Sequence, residues 1–243
     1  MVIDHAAVGL IEQSELASGV AWSLCGTAMR LVGRVAFPLF AFMIAEGAAH
    51  TRDRRWYALR LLLLAVISEI PFDLVAGGTW LFPADQNTVF TLLLGLLAVW
   101  AGDLICGTGS GVSYGNRKKT GDGGRKAVGQ RRFPLEYERY IRVLAAVPFG
   151  LAAYYLKTDY GFMGVLLIVI LYTLRTEPQL RTAVCAVFLF CMYMDFYGAA
   201  ACVAIFLINR YNGEKGGGNG RIFYLFYPLH LLVIRGIKMA VGL

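Results

Sequence analysis

The stretch TVFTLLLGLLAVWAGDLI, residues 88–105, decides the fold class of this chain. Its apolar residues follow one another without the alternation of a β-strand, and an α-helix of this length measures about 27 Å. The hydrocarbon core of a bilayer is about 30 Å thick, so one such helix nearly crosses it. Because backbone polar groups must be paired in lipid, a continuous apolar run predicts a membrane helix and excludes a barrel strand.

Similar apolar runs lie on both sides of this stretch and fill most of the chain. Of its 243 residues, 58% are hydrophobic and 16% are charged, whereas soluble domains carry about 25% charged residues. We therefore predict an all-α, polytopic integral membrane bundle that forms a single domain over residues 1–243. The predicted spans are Met1–Ile11, Met29–Ala49, Trp56–Ala76, Thr88–Ile105, Arg139–Leu156, Tyr160–Leu174, Ala183–Ile208 and Ile222–Ala240.

The first of these runs is short for a membrane span. Residues 1–11 would form a helix of about 16 Å, roughly half of a bilayer. Two interpretations stay open: the first span is short, or the true start of the protein lies upstream of Met1.

The run Ala183–Ile208 decides the number of spans, because it is long for one helix and short for two. Basic residues favour the cytoplasmic side of a membrane. The loop around Arg210 and Arg221 falls inside only if the run crosses twice, turning near Asp195. We therefore predict nine spans with the N-terminus inside, and eight if the run is one helix.

A basic, glycine-rich loop is predicted at about residues 107–135. Between Tyr114 and Arg132 it holds seven Lys or Arg residues against one acid, Asp122. This composition indicates a flexible cytoplasmic loop that can contact anionic lipid. No aromatic interleaving accompanies the charge, so the sequence does not favour nucleic acid as a partner.

Ionisable residues within the apolar runs are candidates for function, because a charge in lipid costs several kcal/mol unless it is paired or hydrated. Asp4 and His5 are adjacent in the first span, and a histidine can act as a general base. Arg34 lies four residues before Pro38, which frees a backbone carbonyl and favours a kink that could hold an anion. Each residue has an equally plausible structural role, in helix pairing or in snorkelling to the interface.

Further polar residues follow along the chain. Glu46 and His50 are four residues apart and share a helix face, as an acid/base pair or as a stabilising pair. The remaining candidates are Arg52, Arg54 and Arg60 near the cytoplasmic side, then Glu69, Asp73, Asn87, Asp159, Tyr160, Tyr227 and His230. His5, His50 and His230 are too far apart in sequence to form a metal signature, and we predict no metal site.

Several blocks of the sequence resemble the TraX family. They are Asp4-His5, RVAFPLFAFMIAEG at 34–47, HTR at 50–52, YALRL at 57–61, SEIPFD at 68–73, DYG at 159–161, YNG at 211–213 and YLFYPLHL at 224–231. They occur in order over almost the whole chain. The chain departs from the family at the basic loop, and the family usually has more residues before the Asp-His pair.

The resemblance implies a protein of the bacterial inner membrane, because the founding member acetylates the amino terminus of F-pilin with acetyl-CoA. TraX-like proteins are also similar to a wider group of transmembrane acyltransferases with a catalytic histidine on the first helix. By that resemblance His5 is the catalytic candidate, with Asp4 beside it. Arg34, Arg52, Arg54 and Arg60 are then candidates for binding CoA, the first three for its phosphates.

Three hypotheses follow for the function. The first is an acetyltransferase that moves an acetyl group from acetyl-CoA to a pilin-like N-terminus or to another molecule of the cell envelope. The second is a transporter, which the predicted kinks at Pro38 and Pro71 and the buried charges would also suit. The third is a non-catalytic assembly factor of a conjugation or secretion apparatus.

Overall fold

A computed structural model describes residues 1–12, 19–108, 132–194, 196–214 and 221–242. These residues form ten α-helices, and the only β pairing among them is an isolated bridge between Gln86 and Thr158. The prediction of an all-α fold is confirmed. The helices are α1 (Val2–Ala6, continued by a π-helical turn, Ala7–Glu12), α2 (Val20–Gly33), α3 (Ala36–His50), α4 (Arg54–Ala76), α5 (Thr88–Cys106), α6 (Leu135–Tyr155), α7 (Gly161–Thr173), α8 (Pro178–Tyr193), α9 (Phe196–Asn209) and α10 (Arg221–Val241).

Among the described residues, three helical stretches are long and apolar enough to cross a membrane. They are Val20–His50 with 31 residues, Thr88–Cys106 with 19 and Tyr224–Val241 with 18. The apolar helices α7, α8 and α9 are shorter, with 13, 16 and 14 residues. The chain is therefore a multi-pass helical membrane protein. Most of the basic loop, residues 109–131, lies outside the described residues.

The second predicted span was wrong in its start, whereas the kink predicted beside Arg34 is present. Helix α2 begins at Val20 instead of Met29, and the helix breaks at Arg34 and Val35 before α3 begins. The cause is Pro38, which cannot donate a hydrogen bond to the carbonyl of Arg34 and whose ring crowds it.

The run Ala183–Ile208 forms two helices, as the nine-span prediction requires, and the one-helix alternative was wrong. Helix α8 ends at Tyr193, the next residue, Met194, has a left-handed φ of 52°, and α9 packs along α8. The two helices pack closely: a Cβ on Gly198 would lie 3.0 Å from the Cα of Phe190. Further along, the Sγ of Cys202 donates to the carbonyl of Ala186 at 3.6 Å.

The two ends of the bundle differ in charge. We call one the basic end, because it gathers the arginines at 52, 54, 55, 139, 142, 175, 181 and 210. The opposite end, here the turn end, consists of residues 77–87, 156–160 and Met194. At the turn end the backbone of Gln86 pairs with Lys157 and Asp159, each at 2.9 Å.

The apolar core lies between α5 and α7. Leu96, Val99, Leu167 and Ile168 are fully buried there. Gly95 permits the contact, because a Cβ at that position would lie 2.3 Å from the Cδ1 of Ile168. This packed core holds the two ends of the bundle at a fixed separation.

Candidate functional site

Two histidines from opposite ends of the chain meet inside the bundle. The Nδ1 of His5 on α1 lies 2.8 Å from the Nε2 of His230 on α10. Their rings stack with centroids 5.1 Å apart, and both side chains are buried. The sequence marked both residues as candidates, and the structure brings them together.

The hydrogen bonds of this pair set the tautomer of each neutral ring. The Nδ1 of His230 lies 2.9 Å from the carbonyl oxygen of Phe226. A carbonyl can only accept, so Nδ1 of His230 carries the hydrogen and its Nε2 is an acceptor. His5 must then donate from Nδ1, and its Nε2 keeps a free lone pair. The contact with His230 therefore fixes the orientation of the His5 ring and leaves its Nε2 as an acceptor.

Aromatic side chains surround the pair on the side of the turn end. The rings of Phe72 and Tyr227 meet the ring of His5 edge-on, with centroids 6.4 and 6.2 Å away. Phe72 lies near the last turn of α4, and Tyr227 approaches Thr88, the first residue of α5. The histidine pair therefore lies in the half of the bundle next to the turn end.

Asp4 faces a different partner from its neighbour His5, as the 100° step between adjacent helical residues requires. Its carboxylate accepts from Nη1 of Arg30 at 3.1 Å, and Arg30 also pairs with Glu12 at 3.3 Å. Gly33 permits this approach, because a Cβ there would lie 2.4 Å from the Cβ of Asp4. Asp4 thus fixes α1, and with it His5, against α2.

Arg34 lies at the break between α2 and α3, among three tyrosines. Its Nη1 donates to the hydroxyl of Tyr160 at 3.5 Å, and its guanidinium lies 5.4 and 5.3 Å from the ring centroids of Tyr193 and Tyr197. The Nε of Arg34 is buried and has no hydrogen-bond partner. Neither Tyr193 nor Tyr197 was a sequence candidate; their position beside the reversal of a long apolar run was the available signal.

Asp159 and Tyr160 connect the arginine to the rest of the site. The hydroxyl of Thr88 donates to Asp159 at 2.6 Å. Burial raises the pKa of the Asp159 carboxyl to about 6, against the opposing effects of the hydrogen bond from Thr88 and the charge of Arg34. Tyr160 stacks on Phe37 with centroids 3.6 Å apart and has a φ of 66°. A bulky residue in this left-handed region is strained, and such strain clusters at functional sites.

Three other candidates tie the turn end together. Asn87 donates from Nδ2 to the carbonyl of Ala65 at 2.8 Å and to Glu69, and its Oδ1 caps α5 by accepting from the backbone of Val89. Asp73 accepts from the backbone of Phe82 at 3.0 Å. These contacts give Asn87, Glu69 and Asp73 a positioning role in the structure.

Glu46 and His50 form the predicted pair, with 3.3 Å between Oε2 and Nε2, and His50 is exposed. They lie near the basic end of α3, and Glu46 is about 18 Å of helix away from the level of Arg34. The structure does not bring this pair to the two histidines. Arg52 and Arg60 are exposed near the basic end, and Arg60 lies over the ring of Tyr57 at 5.9 Å.

Arg54 enters a buried ion network that sequence reasoning missed. Its Nη2 lies 2.8 Å from Asp103, which also accepts from Nε of Arg142 at 3.0 Å. Arg142 pairs in turn with Glu138 at 3.2 Å. The signal in the sequence was an acid, Asp103, inside the continuous apolar run of residues 88–105. The network joins α4, α5 and α6 at the basic end, and it balances the charge of Arg54.

No group of three or more His, Cys, Asp or Glu residues that could hold a metal ion occurs within the described part of the chain. The neighbours of the histidine pair are the carbonyl of Phe226 and the rings of Phe72 and Tyr227.

Comparison with known proteins gives one family and one informative relative. The probable fimbrial assembly protein FimC of serogroup H1 from Dichelobacter nodosus is 26% identical, over 98% of this chain and 91% of its own length. No solved structure matches the chain. The TraX protein family matches residues 1–108 and 132–238, so this chain belongs to the TraX family.

Proposed function

We propose that this protein is a membrane-embedded acetyltransferase that moves an acetyl group from acetyl-CoA to an amine. The observation that supports it best is the histidine pair, because its hydrogen bonds leave Nε2 of His5 as a free base inside the bundle. The family resemblance points to the same residue. A histidine so oriented can accelerate proton transfer by about 10²–10⁴-fold.

The chemistry needs one base and a place for the acceptor. The neutral amine attacks the thioester carbonyl of acetyl-CoA while Nε2 of His5 accepts a proton from the amine nitrogen. The tetrahedral intermediate collapses, the carbon–sulfur bond breaks, and the CoA sulfur takes the proton back from His5. The products are the N-acetylated acceptor and free CoA, and both histidines return to their starting tautomers.

Acetyl-CoA as a substrate would bind at the basic end, which the positive-inside rule places in the cytoplasm. Arg52 and Arg60 are exposed there and suit its phosphates. Arg54 suits them less, because Asp103 already balances its charge. The pantetheine arm would then extend through the bundle toward His5, so that the thioester meets the acceptor near the turn end.

We propose a pilin-like protein as the acceptor and the bacterial inner membrane as the location. The relative in Dichelobacter nodosus is described as a probable fimbrial assembly protein, which supports a partner of this kind. A small molecule of the cell envelope is the other acceptor that the site would admit.

The test is acetyl transfer by the purified protein in nanodiscs, with radiolabelled acetyl-CoA and a synthetic pilin-like peptide as acceptor. Wild type is compared with His5→Ala, and with Cys185→Ala as a control for the loss of a buried side chain in α8. We expect label on the peptide N-terminus with wild type and the control. Loss of label in His5→Ala alone supports the proposal, and wild type without turnover refutes it.

A second function, assembly without catalysis, is favoured by the description of the same relative. The experiment separates the two functions when peptide binding is measured beside turnover. Binding without turnover, and with no effect of His5→Ala, would favour an assembly factor.

A further inference from the structure

Arg34 is a cation inside the bundle whose charge no ion pair balances among the described residues. Its neighbour Arg30 has two carboxylate partners, Asp4 and Glu12. Arg34 instead has the hydroxyl of one tyrosine and the faces of two others, and its Nε is buried without a hydrogen bond. The carboxyl of Asp159 acts on Arg34 only from beyond ion-pair distance. Because an unpaired charge within a membrane protein is costly, such a residue indicates a ligand of opposite charge.

The position of Arg34 argues against the phosphates of a cytoplasmic substrate. Helix α3 runs from Ala36 to His50, so Arg34 lies about 24 Å along the helix from the basic end. Its contacts Tyr160, Tyr193 and Tyr197 all border the turn end, before α7, at the end of α8 and in the first turn of α9.

The short helices give this position access from the turn end. Helices α7, α8 and α9 have 13, 16 and 14 residues, so they measure about 20–24 Å, against about 30 Å of hydrocarbon. At the basic end α8 and α9 are joined by contacts such as the hydrogen bond that Nδ2 of Asn209 donates to Oγ1 of Thr182 at 2.7 Å. With that end at one membrane surface, their other tips lie roughly 6–10 Å below the opposite surface. The tyrosines that contact Arg34 lie at or beside these tips.

We infer that Arg34 and its tyrosines form an acceptor subsite, open at the turn end, which binds a carboxylate of the acceptor. A planar carboxylate can accept from Nε and a terminal nitrogen of one guanidinium together, and its single charge balances the single charge of Arg34. The strained backbone of Tyr160 and the left-handed Met194 hold the tyrosines around it. The inference rests on the proposed acetyl transfer, because it assigns the substrate class of that site.

The test compares two sets of acceptor peptides, and every peptide has a free N-terminus and one apolar segment. In the first set a single Glu lies near the N-terminus, at a different position in each peptide. In the second set Gln replaces that Glu at each position. Binding is measured first, by fluorescence anisotropy of C-terminally labelled peptides on nanodiscs without acetyl-CoA. Transfer rates follow, with KM determined separately for peptide and for acetyl-CoA.

We expect wild type to bind the best Glu peptide about ten- to hundredfold more tightly than its Gln counterpart, the range of a charged hydrogen-bonded pair. Arg34→Gln should abolish this preference and leave the KM for acetyl-CoA unchanged. Arg34→Lys should keep part of it. Arg210→Gln is the matched control, because Arg210 also lies over an aromatic ring, Phe206 at 4.4 Å, at the basic end; it should keep the full preference.

Three results would overturn the inference. They are equal binding of the Glu and Gln peptides by wild type, a preference that survives in Arg34→Gln, and a rise in the KM for acetyl-CoA as the main effect of that substitution. Where Arg34→Gln does not fold, Tyr193→Phe decides, because losing one hydroxyl beside the guanidinium should reduce the preference only if the carboxylate binds there. A preference without any acetyl transfer would refute the proposed enzyme and leave this subsite standing.

Discussion

The Nδ1 of His5 lies 2.8 Å from the Nε2 of His230 across 225 residues of sequence. The contact completes a chain of hydrogen bonds from the carbonyl of Phe226 through His230 to His5. In the proposed reaction His5 transfers the proton and His230 holds the ring of His5 in its orientation.

Replacing His230 should slow acetyl transfer without preventing the binding of either substrate. In His230→Phe the hydrogen on Nδ1 of His5 has no acceptor, so the productive tautomer is no longer favoured and kcat should fall about 100-fold or more. His230→Gln should retain more activity, because its side-chain oxygen can accept from His5. Equal losses in both variants, with folding intact, would contradict an orienting role; kcat and KM from labelled acetyl-CoA are the measurement.

Adding a methyl group at Gly33 should disturb the site through α1. The new Cβ would lie 2.4 Å from the Cβ of Asp4 and 2.7 Å from its Oδ1, so Gly33→Ala should cost about 1–3 kcal/mol and displace His5. Gly236→Ala in α10 is the matched control, because nothing lies within 4 Å of its added Cβ. The midpoint temperature of unfolding and the rate of acetyl transfer should both fall in Gly33→Ala. Both should be unchanged in Gly236→Ala. Unchanged activity in Gly33→Ala would show that α1 does not need this close approach.

Neutralising Asp103 should destabilise the basic end. Asp103→Asn keeps the shape of the side chain but leaves Arg54 and Arg142 without their shared carboxylate, 2.8 and 3.0 Å away. Breaking a buried pair in this way costs about 3–5 kcal/mol. The control is Arg139→Gln, which breaks the half-exposed pair with Glu177 and should cost about 1 kcal/mol or less. Equal shifts of the unfolding midpoint in Asp103→Asn and Arg139→Gln would contradict a stabilising role of the buried network.

Asp159 should make stability depend on pH at the turn end. Its pKa of about 6 lies above the ordinary value of 3.8, so the folded protein holds this proton more tightly than the unfolded chain. The stabilisation is complete below about pH 4 and is lost as the pH rises through 6, by about 1–3 kcal/mol. Asp159→Asn cannot titrate and should lack this dependence. The measurement is the unfolding midpoint of wild type and Asp159→Asn between pH 4 and 8. A parallel fall of the two midpoints would refute the role of Asp159.

The fold class and most helix positions follow from the sequence because they depend on local properties. A continuous apolar run such as residues 88–105 must pair its own backbone in lipid, and only a helix does so within one segment. The pair of Glu46 and His50 was predictable for the same reason, since its spacing alone brings the side chains together. The start of α2 was missed because the residues before Met29 mix small and polar side chains with apolar ones.

The site was predictable as a set of residues and not as an arrangement. The cost of charge in lipid singled out His5, Arg34, Asp159 and His230 one by one. Which of them meet depends on how each helix is rotated and packed, and close contacts at Gly33 and Gly95 decide that. Arg54 is the clearest example of what the sequence did not predict. Its charge suggested that it binds a phosphate, whereas the packing of α4 against α5 pairs it with Asp103.

The sequence by itself therefore determined that this chain is a bundle of membrane helices with polar residues in its interior, because hydrophobic length and charge are properties of single segments. The tertiary structure alone decided that His5 has His230 as its partner and that Arg34 lies unpaired among tyrosines at the turn end. Contacts between helices depend on packing surfaces that no single segment encodes.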